Sequence, residues 1–573
     1  VQAGANKYVF KGKRQARKGE EGMRKRKTAF LLAMVMAVTA LSGCSKSGKE
    51  TEAQTEAANA ATTAAGTEAA KEGTAKTESE KPYAGVTLKY WVRLYPSVSS
   101  TVANQGETKW AQTVEEKTGI KLEFIHPTAG SEDEEFSVLV ASGEYPDIIE
   151  HTWTKYSGGA SAAISDGVIL NLNDIMESKA PNLSTILKEH PAVDKMVKTQ
   201  EGDYYCFPFL RGLETPNKNL FSSGMVVRKD MLDKLGLSLP ETIDEWETAL
   251  RAFKNEGVEV PFTTRSEWMR EVWCPGFDNW GDFYVEDGVV KNGLIEDSRK
   301  TYLTKMNQWY EEGLIDRDYL VADKASCQTY FTTGKSAVTY APGGQGLGTY
   351  TQIMHDANPE ITDQSIVSTV PVTSTKGKNA KFSKMNQIFD GSGSSAAIST
   401  QCKNVDAAAW LLDWMYSEEG ALVNSFGIEG ESYTLKDGAP VFSEMITNNP
   451  DGLTMERALG IYTRVGAGPR VQDESALEQT YFLESQKEAL DLWMKTDMGK
   501  YVYPPATVSN EDSDKFSNIM SNIKTYSDEM EAKFIAGTAS MDEWDNYVKQ
   551  MKTFGIEDAI SMKQAAYDKY MAN

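Results

Sequence analysis

Val86-Thr87-Leu88-Lys89-Tyr90-Trp91-Val92 alternates in character and is rich in β-branched and aromatic residues, the pattern of a strand. Trp110 to Thr118 then reads as an amphipathic helix ended by Gly119, and Ile120-Lys121-Leu122-Glu123-Phe124 alternates again. Phe136 to Ser142 is helical and closed by Gly143. After Pro146, Asp147-Ile148-Ile149-Glu150 reads as a short buried strand. A β-α-β-α-β order implies a largely parallel sheet, because parallel neighbours need a crossover that a helix supplies. Ligands of such sheets lie beyond the carboxyl ends of the strands. That rule singles out Arg93 and Tyr95 after the first strand, and Glu150, His151 and Trp153 after the third.

The same texture continues outward. Met225-Val226-Val227 is a strand, and the helix Lys229 to Leu235 stops at Gly236. Thr242 and Glu245 have the spacing of a capping box that starts a helix. Ser298 to Glu312 is a long helix closed by Gly313. Ala337-Val338-Thr339-Tyr340 is a strand opening into the glycine-rich Gly343-Gly344-Gln345-Gly346-Leu347-Gly348. Ala407 to Ser417 and the tail from Met541 to Tyr570 are again helical. The segment Trp268 to Trp280 interleaves three tryptophans with Arg270, Glu271, Asp278 and Asn279. Its Pro275 and Gly276 predict a loop.

The 573 residues carry 60 Lys+Arg against 82 Asp+Glu, a formal charge of −22. Acidity of this order argues against nucleic acid, whose affinity comes from neutralising phosphates. A mean hydropathy of −0.45 excludes a polytopic membrane protein. Four His and five Cys leave little material for a metal site or a dense disulfide framework. Cys206, Cys274, Cys327 and Cys402 form no C-x-x-C pair and read as buried thiols, with disulfide pairing outside the membrane as the alternative.

The charge is uneven. Residues before Cys44 contribute +8, so the chain from Cys44 onward carries −30. Met23-Arg24-Lys25-Arg26-Lys27 leads into an apolar stretch, Ala29 to Leu41, too short to span a bilayer. With Leu41-Ser42-Gly43-Cys44 at its end, residues 23–43 read as a secretory signal with a lipobox and Cys44 as the lipidated residue. Residues 1–22 read as an upstream extension. Residues 44–82 are Ala, Thr and Glu-rich, and read as a disordered acidic tether that cannot bury enough apolar surface to order.

Three stretches stand out: Ala141-Ser142-Gly143-Glu144-Tyr145-Pro146-Asp147-Ile148-Ile149, Gly202-Asp203-Tyr204-Tyr205-Cys206-Phe207-Pro208, and Val227-Arg228-Lys229-Asp230-Met231-Leu232-Asp233-Lys234-Leu235-Gly236-Leu237. Pro240 to Glu245, Tyr310 to Asp316, Thr333 to Ala337 and Leu412 to Gly420 complete the series. Together, in this order and spacing, they resemble the family 1 extracellular solute-binding proteins, the lipoprotein components of sugar ABC importers in Gram-positive bacteria.

The resemblance implies a type II periplasmic-binding fold, two α/β lobes with a ligand cleft between them. The first lobe would comprise 83–207 and 393–465, and the second 208–392 and 466–573. It further implies a monomer that captures an oligosaccharide, delivers it to ABC permease subunits, and meets the membrane only through its N-terminal lipid. Larger relatives often carry a calcium loop after the "TldE" helix. Phe253 to Pro261 lacks the alternating acidic oxygens such a site needs, so no metal and no cofactor are expected.

Sugar pockets combine aromatic faces with planar polar groups. On that ground Trp273, Asp278, Trp280, Tyr340, Phe389 and Asp390 join the cleft candidates. Core packing is the alternative for the tryptophans, and a surface loop for Phe389 and Asp390 before Gly391-Ser392-Gly393-Ser394-Ser395. No nucleophile elbow, zinc-protease motif or P-loop is present, and no catalytic residue is expected. A cell-surface polysaccharide-degrading enzyme and a peptide-binding protein remain the alternative functions.

Overall fold

In the computed structural model, which describes residues 81–389, 391 and 393–572, the opening segment is strand β1 (Thr87–Trp91). The helix Lys109–Thr118, β2 (Lys121–Ile125), the helix Glu132–Ser142 and β3 (Ile148–His151) follow. β1 pairs in parallel with both neighbours, Leu88 opposite Leu122 and Tyr90 opposite Ile148. A fourth strand, Ser395–Ile398, returns from far along the chain and joins β3 antiparallel, Ala397 opposite Ile149. Both crossover helices stop where the sequence places a glycine: Gly119 and Gly143 adopt left-handed backbone at φ 72° and 68°. Alternation puts neighbouring side chains on opposite faces. Tyr90 stacks on Phe124, which meets Trp110 of the first helix, while Trp91 meets Phe136 of the second.

A second sheet centres on Ser223–Arg228. Val338–Pro342 and Ile366–Ser368 flank it antiparallel, and Phe262–Thr263 lies parallel to Val338–Pro342 on the outer side. Met225 and Val227 enter one apolar cluster and Val226 another. Helices cover both faces, which is why this strand reads as a continuous apolar run without alternation.

Trp273 belongs to this second core. It is fully buried, with Trp246, Phe262 and Trp309 edge-on to it at ring distances of 5.8, 5.0 and 4.9 Å. The expected loop at Trp268 to Trp280 is corrected in part, because Ser266–Trp273 is helical and continues into a 3-10 turn, Cys274–Phe277. Met269, Val272 and Trp273 share the buried face. Pro275 sits in the first turn of the 3-10 segment, where its missing N–H leaves no bond unmade.

Three segments cross between the sheets side by side. Phe207 exchanges backbone hydrogen bonds with Ala396, Phe209–Leu210 pairs in parallel with Arg470–Val471, and the Arg211 N–H donates to Ile388 O at 3.0 Å. The protein is thus two α/β lobes on a shared hinge. Helices Asn510–Ile535, Trp544–Phe554 and Ile556–Ala572 cover the second lobe, so the helical tail begins well before Met541. Buried Glu531 anchors the first of them, accepting from Arg270 Nε at 2.8 Å and from the Arg299 guanidinium at 2.5 Å.

Cys206, Cys274, Cys327 and Cys402 are buried, unpaired thiols. Burial pushes Cys274 and Cys402 up to about 12, which leaves them unreactive at neutral pH. Cys44, its signal segment, residues 1–22 and nearly all of the tether lie outside the described residues. Among the described residues no helix is long and apolar enough to cross a membrane.

Candidate functional site

The parallel strands of the two sheets end at two edges. Beyond β1 come Arg93 and Tyr95, then the helical turn Pro96–Ser99. Beyond Phe262–Thr263 come Arg265 and the helix that carries Trp268. Beyond Val338–Pro342 the six residues Gly343–Gly348 form a π-helical turn that runs into the helix Thr349–Ala357. The sequence signals the glycine turn, but not that it continues as a helix.

A cavity of about 670 Å³ opens between these walls. Tyr95, Pro96, Ser97 and Glu456 line one side, and Lys324, Gln328, Gln345 and Thr349 the other. Glu456 lies on the helix Met455–Tyr462, which packs against Pro96–Ser99. Gln345 Nε2 donates to Glu456 Oε1 at 3.0 Å, and Lys324 Nζ donates to Gln345 Oε1 at 2.7 Å. The position of Tyr95 depends on a glycine. A Cβ at Gly466, whose φ is +74°, would stand 2.1 Å from the tyrosine ring. The Tyr95 hydroxyl in turn accepts from the Ala467 N–H at 3.0 Å.

Arg93 stands beside this wall, its guanidinium 4.7 Å from the Tyr95 ring centre and 3.4 Å from Glu132. The candidates after the third strand are placed otherwise. β3 extends through His151, so Glu150 and His151 lie within the sheet, opposite Ala396 and Ser395. Glu150 is 1% exposed. It accepts from the Tyr90 hydroxyl at 2.6 Å, and both its oxygens lie 2.7 Å from the Arg464 guanidinium. Burial, then the Glu150 charge, pushes the Tyr90 phenol well above its ordinary range. Glu150 is therefore an internal counter-ion rather than a ligand contact.

His151 stacks on Phe136 at 4.0 Å and meets Trp91 edge-on. Burial pushes the imidazole down to about 4, so it is neutral at pH 7 and its 3.6 Å approach to Asp133 is not an ion pair there. Trp153 is 2% exposed and donates from Nε1 to Ser395 O at 3.0 Å, bracing the hinge loop. Phe389 is likewise buried, toward Tyr205. Asp390 lies outside the described residues.

In the second lobe, Trp273 is core, as above. Tyr340 is buried against Trp268 at 5.3 Å and donates to Ser223 O at 3.3 Å. It borders a cavity of about 30 Å³, room for a water rather than a sugar. Trp280 is half-buried and stacks on Phe382, in a cluster with Tyr284 and Met498. Asp278 is exposed at φ 51°, and its carboxylate accepts from Ser374 Oγ at 2.9 Å. Neither Trp280 nor Asp278 lines the large cavity.

Sequence reasoning did not single out Lys324, Gln328, Gln345, Thr349, Glu456 or Arg265. The one local signal was the stretch 341–350, whose glycines mark a close turn after a strand. Arg265 follows a strand of only two residues, too short to show a period.

The family described as "Bacterial extracellular solute-binding protein" matches residues 99–422. The fructooligosaccharide ABC transporter substrate-binding protein FusA of Streptococcus pneumoniae serotype 4 is 25% identical over 493 residues, 81% of this chain and 87% of the relative. Lipoprotein LipO of Bacillus subtilis strain 168 is 25% identical over 403 residues, 66% of this chain and 72% of the relative. The crystal structure of alginate-binding protein AlgQ2 without calcium ion superposes with a TM-score of 0.67 at 24% identity. The match covers 85% of this chain and 98% of that one, a likeness of fold.

Proposed function

The chain belongs to the bacterial extracellular solute-binding protein family, and on that premise we propose that it captures an oligosaccharide between its lobes and delivers it to an ABC transporter permease. The observation that carries this reading is the cavity of about 670 Å³ whose two walls come from different lobes. Its size is that of a small-ligand site, and its lining joins one aromatic face to amide, hydroxyl and charged groups, the mixture that a pyranose requires. Closing the walls on a sugar would bury it and change the surface offered to a permease.

Relatives named as a fructooligosaccharide-binding transporter component and as a lipoprotein support the same reading. Lipidation at Cys44 would hold the protein at the outer face of the membrane, with residues 44–82 as the tether. Replacement by Cys44→Ala is expected to move the protein from the membrane fraction to the medium. Retention in the membrane fraction would reject the anchor.

Calorimetric titration of the full chain against neutral and charged oligosaccharides tests the function, with product analysis of each bound sugar. Binding without turnover is the expected result. Release of shorter sugars would favour a surface hydrolase or lyase instead. A folded protein silent to the whole panel, but binding peptides, would overturn the oligosaccharide reading.

A further inference from the structure

Three arginines at the cleft share an unusual setting. Arg93, on the first lobe, lies over Tyr95 at 4.7 Å. Arg265, on the second, lies over Trp268 at 3.5 Å. Arg470, in the hinge strand, lies over Phe209 at 5.5 Å, and Phe209 is the residue opposite it in the strand pair. In each the Nε–H is buried and has no acceptor among the described residues. A guanidinium held over a ring is preorganised, because it has lost the freedom it would otherwise surrender on binding.

None of the three lines the cavity itself; Arg93 and Arg470 reach its wall through Tyr95 and the residues that hold it. Arg93 covers the ring of Tyr95, a cavity wall, and the Tyr95 hydroxyl accepts from Ala467. The neighbouring Gly466 carbonyl accepts from Arg470 at 2.5 Å. Across the cleft, Arg265 follows Thr263 by two residues, and the Thr263 hydroxyl lies 3.9 Å from the sulfur of Cys327, the chain neighbour of the wall residue Gln328.

Their counter-charges are incomplete. Glu132 stands 3.4 Å from Arg93 and Glu267 stands 3.1 Å from Arg265, each engaging one edge of a group with five N–H donors. Arg470 is 8% exposed and, among the described residues, donates only to the carbonyls of Arg464 and Gly466. The Glu150 carboxylate, whose charge also acts on Arg470, is already bound by Arg464. Burial, with the Arg464 charge beside it, pulls the Arg470 guanidinium down to about 10. A buried cation without a counter-ion is costly, so an anion that completes it is favoured. The chain from Cys44 onward carries −30, which makes positive charge at one cleft the more selective.

We propose that the cleft selects an acidic oligosaccharide, a uronate-containing chain whose carboxylates are met by Arg93, Arg265 and Arg470 from the two edges and the floor. Planar carboxylates match the guanidinium fork. This inference rests on the oligosaccharide reading above.

The test compares oligogalacturonate and alginate oligosaccharides with their methyl esters, which keep the sugar and remove the charge. Neutral fructo- and galacto-oligosaccharides complete the panel, titrated by calorimetry into the full chain. At least one acid is expected to bind about tenfold or more tighter than its ester, with an advantage that shrinks as salt is raised. Arg265→Gln is expected to remove most of that advantage, weakening the acid several-fold more than its ester, with thermal unfolding monitored to show that the variant is folded. A neutral sugar or ester bound as tightly as every acid would overturn the inference and leave the oligosaccharide reading intact. Silence to charged and neutral sugars alike would overturn both.

Discussion

Gln345 Nε2 donates to Glu456 Oε1 at 3.0 Å, joining the glycine turn of the second lobe to the helix that packs on the first. Lys324 secures the other end of the same amide. The tie closes one side of the cavity. Both side chains are exposed, so the bond contributes little to folding but adds to whatever holds the lobes together around a ligand. Gln345→Ala is expected to speed ligand release about fivefold, the equivalent of ~1 kcal/mol, with the melting temperature unchanged. Stopped-flow fluorescence reads the rate. An unchanged rate would mean that the contact plays no part in closure.

Glu150 neutralises Arg464 inside the first lobe, with side-chain exposures of 0% and 4%. Removing one partner strands a buried charge, so Glu150→Ala is expected to destabilise the protein by about 3–5 kcal/mol in urea unfolding. Glu132→Ala, at the half-exposed pair with Arg93, should shift stability by less than about 1 kcal/mol. Equal effects for the two would refute the division between internal and cleft carboxylates.

Trp273 distinguishes core from site. Trp273→Ala is expected to lose about 3–5 kcal/mol of stability, because the three rings around it cannot collapse into the void. The folded fraction should bind ligand as the parent does. Lost affinity at unchanged stability would return this tryptophan to the cleft.

His151 sets an acid limit. Its imidazole is held at about 4 against an ordinary 6.5, first by burial. Asp133 and Glu132 oppose that shift, and Lys155 adds to it. The unfolded chain therefore takes up this proton before the folded chain does. Stability from this group is fully present above about pH 6.5 and is lost progressively toward pH 4, by about 3 kcal/mol in all. His151→Phe should flatten that part of the stability profile in urea titrations across the range. A parallel profile would contradict the assignment.

The parallel sheet was legible because alternation and glycine stops are local signals. The left-handed Gly119 and Gly143 end their helices where the pattern says they must. Of the residues that line the candidate cavity, only Tyr95 was legible, because it follows a strand of clear period. Glu150 and His151 read as lying past a strand end because a carboxylate and an imidazole break the apolar run. What allows Glu150 in the sheet is Arg464, 314 residues along the chain, and no local pattern contains it. Glu456 and Gln345 meet in the same way, through the folding of the lobes rather than through spacing.

The central claim is that one ligand occupies the cleft between the lobes. A crystal structure with the tightest oligosaccharide of the panel tests it most directly. Sugar density is expected between Tyr95 and Gln345, in contact with residues of both lobes. Density confined to the outer surface of one lobe would contradict it.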